Sequence, residues 1–495
     1  MSAPATPRPV PIWWLALMGA VFGYLVVLRL WYDITVPPLG DEAYYWMWGQ
    51  HLSWSYFDHP PLDGWLQGLI AAIFGWSNFS VRILTWLSLG GTLCVLWLWS
   101  KSLGNDDRAG WFWQTAVLYM VTPIIFLTTS FAYHDHLLVF FIVATTYTFH
   151  GFARDWEAGT RRWWKLFSAA ALLGLAVLTK YNGIFLGLGL AAWILWRPKL
   201  RGLYLTPQLW LAALLAIAMQ APVLYWNMTE GWATLRFHFT QRANVGWTTP
   251  HPRQVVDFLG VMAAAMSPVL FLALFRIPFT RRRADDDSRA LSEAGTIYLV
   301  STLCWSVIAL YVYVFIHWNI VAYAALAPVV FRLISNRLAM LLHLAFGLAI
   351  ITVGTLSYTV TPMTLFGFGD PGAAGSFGWP QLAERVVAQQ KQHPNTFRAA
   401  SLYTYAAQLG FQLHDIDVAA LNHVPSQNDF WWDAPAHIGK DAIIISDEGP
   451  TSKIAEAAPH FASVEKLEDV PIAVDGKVVW TFEIWLGKDF GHGPG

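Results

Sequence analysis

Two adjacent carboxylates, Asp41 and Glu42, open a run that continues Ala43-Tyr44-Tyr45-Trp46 and leads on to Phe57-Asp58-His59-Pro60-Pro61. Acids set among Trp46, Trp48, Trp54 and Tyr56 are candidates for general-base work, because partial burial raises a carboxylate's pKa toward a working range. Their bland reading is a solvated pair, or charges that offset a helix N-terminal dipole. Pro37-Pro38-Leu39-Gly40 comes directly before them and breaks any helix leaving the preceding apolar run, so the pair is expected in a loop at a membrane surface. Asp58 and Asp63, on either side of His59-Pro60-Pro61, read equally as loop solvation and as catalysis.

A further acid, Asp135, lies in His134-Asp135-His136. Alternate positions at a helix start point in different directions, which argues against a metal cluster. Asp135 suits either an N-cap or a second site carboxylate. Lys180 interrupts an apolar run, where a charge is costly and faces a cavity, a partner or the interface. Arg236 and Arg242 sit near His238, Phe237 and Phe239. They are ordinary loop charges or a grip on a lipid phosphate, which arginine holds by bidentate, charge-assisted bonds. No metal and no cofactor are expected.

The elements that must position these groups are membrane spans. The 495 residues are 56% hydrophobic and 13% charged, with a mean hydropathy of +0.41, which points to a polytopic membrane protein. Residues 1–360 carry a net +7 and residues 361–495 a net −8, which suggests two compartments and gives no basic domain for nucleic acid. Cys94 and Cys304 lie in apolar runs and read as small buried hydrophobes. The run from Ile12 to about Leu30 is too long for a signal-peptide core and is read as an uncleaved first span.

Further spans are expected near 79–100, 111–131, 135–153, 166–179, 182–196, 207–227, 254–275, 295–316, 318–335 and 338–360, about eleven with the first. Asp63 to Trp76 is short for a crossing and is placed along the interface. A single tilted helix through Lys180 is the alternative to the 166–179 and 182–196 pair. With the N-terminus in the cytoplasm, 17 of the 23 basic residues of this part, including Arg281-Arg282-Arg283, fall inside. The other six, Arg29, Arg82, Lys180, Arg236, Arg242 and Arg253, fall outside, and an anion is their expected partner. The same topology puts the acids, Lys180, the loop after Met228, His317-Trp318 and the tail on the outer face, where one vestibule could gather them. Beyond Thr361 a small α/β domain is expected, with a helix over Gln381–Gln392 and strands at Ala442–Ser446 and Lys477–Leu486.

Taken in order, Asp41-Glu42-Ala43-Tyr44-Tyr45, Phe57-Asp58-His59-Pro60-Pro61-Leu62, Asp135-His136-Leu137-Leu138, Leu178-Thr179-Lys180-Tyr181, Pro222-Val223-Leu224-Tyr225-Trp226-Asn227 and His317-Trp318 ahead of Pro328 resemble the motifs of bacterial GT-C membrane glycosyltransferases. The group resembled is that of the protein O-mannosyltransferases and the lipid A aminoarabinose transferase, over roughly residues 12–335. The resemblance implies an all-α polytopic bundle (1–360) in the bacterial inner membrane; the small C-terminal α/β domain (361–495), which carries no motif of that group, is expected on the periplasmic side from its composition and the division of basic residues. It implies an inverting transfer of a sugar from a polyprenyl-phosphate donor to a lipid, glycan or protein acceptor. Asp41 would be the catalytic first-loop acid and Asp135 the second acid, with Glu42 beside Asp41. Arg242, Lys180 and Arg236 would hold the donor phosphate. His59 stands where the aminoarabinose transferase has Lys, and it carries charge only when protonated. Tyr44, Tyr45, His317 and Trp318 would line the substrate. The rival readings are a transporter or lipid flippase, which would also show intramembrane charges and broken helices, and a GT-C-like ligase that transfers a whole glycan.

Overall fold

The computed structural model describes residues 10–104, 107–238, 248–277, 285–367, 371–423, 425–447 and 453–492. Five helices in it are long and apolar enough to cross a membrane: Ile12–Thr35, Ile83–Leu103, Asp135–Glu157, Asp286–Ala309 and Arg337–Thr359. Four apolar helix pairs are bent, Arg108–Met120 with Pro123–Ser130 by 79°, Pro198–Leu205 with Pro207–Ala218 by 77°, Pro252–Met266 with Pro268–Leu274 by 114° and Ile316–Ala325 with Ala327–Leu333 by 53°. Counting each bent pair as one span gives up to nine. The straight spans expected near 111–131, 254–275 and 318–335 are therefore broken. The cause is visible at each break, where Pro123, Pro207, Pro268 or Pro328 sits at the start of the second helix. A proline lacks the N–H that would continue the ladder and clashes with the turn before it, but it starts a new helix readily.

Trp163–Thr179 and Tyr181–Trp196 are shorter apolar helices, as is Leu62–Phe74. The first two fold back on each other about Lys180. A methyl group on Gly183 would lie 2.8 Å from the Ala176 backbone, and one on Gly187 would touch Leu173. The backbone thus makes a hairpin at Lys180, where a single tilted helix was the alternative.

The chain divides into two compact units: Met1–Arg29, His59–Leu62 and Leu84–Thr352 in the first; Leu30–Asp58, Asp63–Ile83 and Val353–Gly495 in the second. The second unit contains a five-stranded sheet of β1 (Phe397–Ala400), β2 (Ala419–Ala420), β3 (Ala442–Asp447), β4 (Phe461–Val474) and β5 (Lys477–Phe490), in the order β2-β1-β3-β5-β4. β1 runs parallel to β2 and β3, while β5 is antiparallel to both β3 and β4. The run Ala442-Ile443-Ile444-Ile445 is apolar throughout because both of its faces are covered. Ile443 and Ile445 pack with Trp379, Leu382, Leu409 and Phe482, and Ala442 and Ile444 pack with Phe397, Phe461 and Phe490. The helices Trp379–Gln392 and Tyr403–Leu413 supply the first of these faces.

Candidate functional site

In the second unit, the helix leaving the membrane ends at Thr35 and a new one, Gly40–Gln50, starts after the two prolines. Asp41 and Glu42 therefore lie in its first turn and not in a loop, where their charge complements the helix dipole. Glu42 is fully buried. Its Oε2 accepts the Leu39 N–H at 3.0 Å, and its two oxygens take Nε and Nη2 of Arg82, the Nε contact at 2.9 Å. Arg82 also donates to the Val36 carbonyl at 2.7 Å, lies 4.4 Å from the Tyr32 ring centroid and has its Nε 3.9 Å from Asp33 Oδ1. An external anion was expected for Arg82; its anion is the chain's own Glu42. Burial works against the guanidinium charge, but the Glu42 carboxylate more than offsets it and holds the group protonated.

Asp41 is half-buried. Burial, followed by the charges of Asp41 and Asp58, pushes the Tyr45 hydroxyl well above its ordinary range, so Tyr45 stays a neutral phenol between two acids. Tyr44 is pushed up in the same way by burial and then by Asp58. Its hydroxyl donates to Asp58 Oδ1 at 3.2 Å and accepts the Gln427 N–H at 2.7 Å, while Gln427 Oε1 accepts the Phe57 N–H at 2.6 Å. The Tyr403 ring stands 4.7 Å from that of Tyr44. Gly40 faces Thr404 so closely that an added methyl would fall 2.9 Å from Thr404 Cβ, and Gln408 donates to the Pro38 carbonyl at 3.1 Å. The Tyr403–Leu413 helix and the Gln427 turn thus grip both ends of the acid-bearing segment.

In the first unit, Asp135 is the first residue of its helix and both of its carboxylate oxygens lie 2.9 Å from Lys180 Nζ. Both residues are buried, and His317 and His134 lie within electrostatic reach of Asp135. The His134 ring packs edge-on against His59, at 4.6 Å, and His136 Nδ1 is 3.0 Å from Ser88 Oγ. Asn182, two residues after Lys180, donates to the Trp318 carbonyl at 2.8 Å, and Tyr181 packs against His238. The structure therefore brings His59, Asp135, Lys180, His317 and Trp318 into one neighbourhood, with Arg236 exposed at the end of the short Ala233–Arg236 helix. Arg242 and Arg281-Arg282-Arg283 lie outside the described residues. Arg29, another of the cations expected on the outer face, stacks over Trp86 and donates to the Thr129 carbonyl.

Sequence reasoning missed the roles of Arg82, Tyr403 and Gln427. A cation at the head of an apolar span on the charge-poor face was the available signal for Arg82. For Gln427 and Tyr403, in a tail without recognisable motifs, there was none.

Residues 58–226 match the family model described as dolichyl-phosphate-mannose-protein mannosyltransferase. Among curated relatives, the chain is 27% identical over 291 residues, 58% of its length, to the lipid A galacturonosyltransferase RgtD of Rhizobium johnstonii. It is 27% identical over 218 residues, 39% of its length, to an undecaprenyl phosphate-alpha-4-amino-4-deoxy-L-arabinose arabinosyl transferase of Pseudomonas fluorescens. The aligned stretches span 58% and 36% of those relatives' own lengths. In fold, the chain is similar to the crystal structure of ArnT from Cupriavidus metallidurans bound to undecaprenyl phosphate, with a TM-score of 0.61 and 16% identity over 96% of this chain and 98% of that one. The apo state of the same protein gives a TM-score of 0.60. The chain is a multi-pass membrane protein, and in both sequence and fold it is similar to the membrane glycosyltransferases of the GT-C class.

Proposed function

We propose that the chain is an inverting glycosyltransferase that moves a sugar from a polyprenyl-phosphate donor to a lipid, glycan or protein acceptor at the outer face of the bacterial inner membrane. The observation that carries this reading is the convergence of two curated relatives on polyprenyl-phosphate or lipid A sugar transfer, joined to the ArnT-like fold. By their names, undecaprenyl phosphate is the favoured carrier and lipid A the favoured acceptor. Residues 1–360 would be the catalytic part and 361–495 a periplasmic domain, an orientation supported by the 17-to-6 division of basic residues.

In this reading Asp41 orients or deprotonates the acceptor hydroxyl. The oxygen attacks the anomeric carbon as the bond to the carrier phosphate breaks, and a single displacement inverts the configuration. The leaving phosphate keeps its charge and is met by Arg242, Arg236 and Lys180, with His59 contributing when protonated. Asp135 fixes Lys180 in place, Glu42 fixes the start of the Asp41 helix through Arg82, and Tyr44, Tyr45, His317 and Trp318 are the substrate-facing candidates.

The test is mass spectrometry of envelope lipids and glycans from strains with and without the gene, followed by transfer from a synthetic undecaprenyl-phosphate sugar in detergent. A glycan present only with the gene, and release of undecaprenyl phosphate in vitro, are expected. A flippase would change where a lipid lies without changing its covalent structure, so unchanged lipids and glycans would overturn the transferase. A reporter fused after Tyr358 is expected on the periplasmic side, and a cytoplasmic signal would invert the orientation.

A further inference from the structure

The helix Asp135–Glu157 carries Asp135 at one end and Arg154 near the other, roughly 28 Å away at ~1.5 Å per residue. At that far end of the first unit lies a cavity of about 280 Å³. Lys101, from the last turn of Ile83–Leu103, lines it together with Arg154 and with Lys165, from the first turn of Trp163–Thr179. Tyr147, His150, Trp164 and the hydroxyls of Ser102 and Thr148 make up the rest of its polar and aromatic lining, and among the described residues no carboxylate lines it. Asp155 holds Lys165 at 2.6 Å and Asp286 holds Arg154 at 3.2 Å, both from outside the lining, so two of the three cations are fixed in position.

The N-terminus of Trp163–Thr179 adds a further positive source, since no side chain caps its first-turn N–H groups. A lysine in that turn is opposed by the helix dipole, so Lys165 and the helix end reinforce one another only toward an anion. His150 is buried and held by the chain's own acids, its Nδ1 3.1 Å from Glu293 Oε2 and its Nε2 3.9 Å from Asp286 Oδ1. Trp164, 64% exposed, stands beside Lys165, a pairing typical of the level where headgroups meet acyl chains.

We propose that this cavity binds the phosphate headgroup of an acidic phospholipid, whose acyl chains lie on the membrane-facing surface beside Trp164. Basic pockets between helix ends take such headgroups by charge, while the aromatic at the rim keeps the ligand at the interface. This site is independent of the sugar-transfer reading, since a chain without transferase activity would still bind the lipid.

The experiment is native mass spectrometry of the full chain in mild detergent, titrated separately with phosphatidylglycerol, phosphatidylethanolamine and inorganic phosphate. Phosphatidylglycerol is expected to be retained well above phosphatidylethanolamine, and Lys101→Gln to lower that retention by about fivefold, the effect of one surface cation on an anionic lipid. Lys101 is exposed at a helix end, so the variant is expected to fold, and a thermal unfolding scan checks this. Lys101→Glu should lower retention further. Equal retention of the two lipids, or unchanged retention in folded Lys101→Glu, would overturn the proposal. Saturation by inorganic phosphate without a preference for phosphatidylglycerol would overturn the lipid assignment in favour of a free anion.

Discussion

Tyr44 links Asp58 to the C-terminal region: its hydroxyl donates a hydrogen bond to Asp58 Oδ1 at 3.2 Å and accepts one from the Gln427 N–H at 2.7 Å. Because burial and the Asp58 charge both disfavour the phenolate, Tyr44 remains a donor at any workable pH. Tyr44→Phe leaves the Gln427 N–H and one carboxylate oxygen without this partner, a loss of about 1–3 kcal/mol. Thermal unfolding in detergent should show the drop. Turnover should fall more than donor affinity if the contact positions the acid segment. An unchanged melting curve and unchanged turnover would show the chain of bonds to be incidental.

Glu42 and Arg82 make a buried pair, and such pairs are costly to half-remove. Arg82→Met alone strands the Glu42 carboxylate and should destabilise the protein by about 3–5 kcal/mol. Arg82→Met combined with Glu42→Leu removes both charges and should recover most of that loss. A double variant as unstable as the single one would mean that the hydrogen bonds to Leu39 and Val36, and not the ion pair, hold this corner.

These two relationships also show where sequence reading ran out. The break after Thr35, the hairpin about Lys180 and the strands expected at Ala442–Ser446 and Lys477–Leu486, found at Ala442–Asp447 and Lys477–Phe490, were legible, because each is announced locally by proline, by a charge in an apolar run or by a run rich in β-branched and aromatic residues. The helix bends at Pro123, Pro207 and Pro268 were announced too, but an apolar window of span length averages over one proline. β4 was not legible, since Glu465, Lys466, Glu468 and Asp469 give it the polar look that protects an edge strand from pairing with other chains. The partners of Glu42, Asp135 and Tyr44 lie 40, 45 and 383 residues away, so no local pattern could reveal them. What the residue types did convey was the small set of charges worth following.

Lys180 separates two kinds of cation. Its ammonium is already committed to Asp135, so Lys180→Ala should cost stability, about 3–5 kcal/mol for an acid left buried and unpaired, as well as donor use. Arg242→Ala should weaken use of the polyprenyl donor while leaving the protein folded, because its proposed partner is the ligand. Unfolding scans alongside donor titrations distinguish the two. A Lys180→Ala variant of normal stability, with only its donor KM raised, would show that Lys180 serves the phosphate directly.

Asp41 carries the chemical reading, and Asp41→Asn is its test because it keeps the shape and most of the hydrogen-bonding capacity while removing the charge. A base lost in this way should lower turnover by about 10²–10⁴-fold, whereas a surface acid would tolerate the change within about 0.5 kcal/mol of stability. Glu42, the adjacent and equally charged residue, is no neutral control, since it is bound to Arg82 and the Leu39 N–H and its loss should register in folding. Asp58 serves better: it is half-buried like Asp41 and in the same unit, and it is tied to Tyr44. The expected pattern is a large kcat loss with unchanged melting for Asp41→Asn, a smaller kcat loss for Asp58→Asn, and a melting loss for Glu42→Gln. Near-normal turnover by folded Asp41→Asn, measured with a synthetic undecaprenyl-phosphate sugar, would remove the base assignment from Asp41.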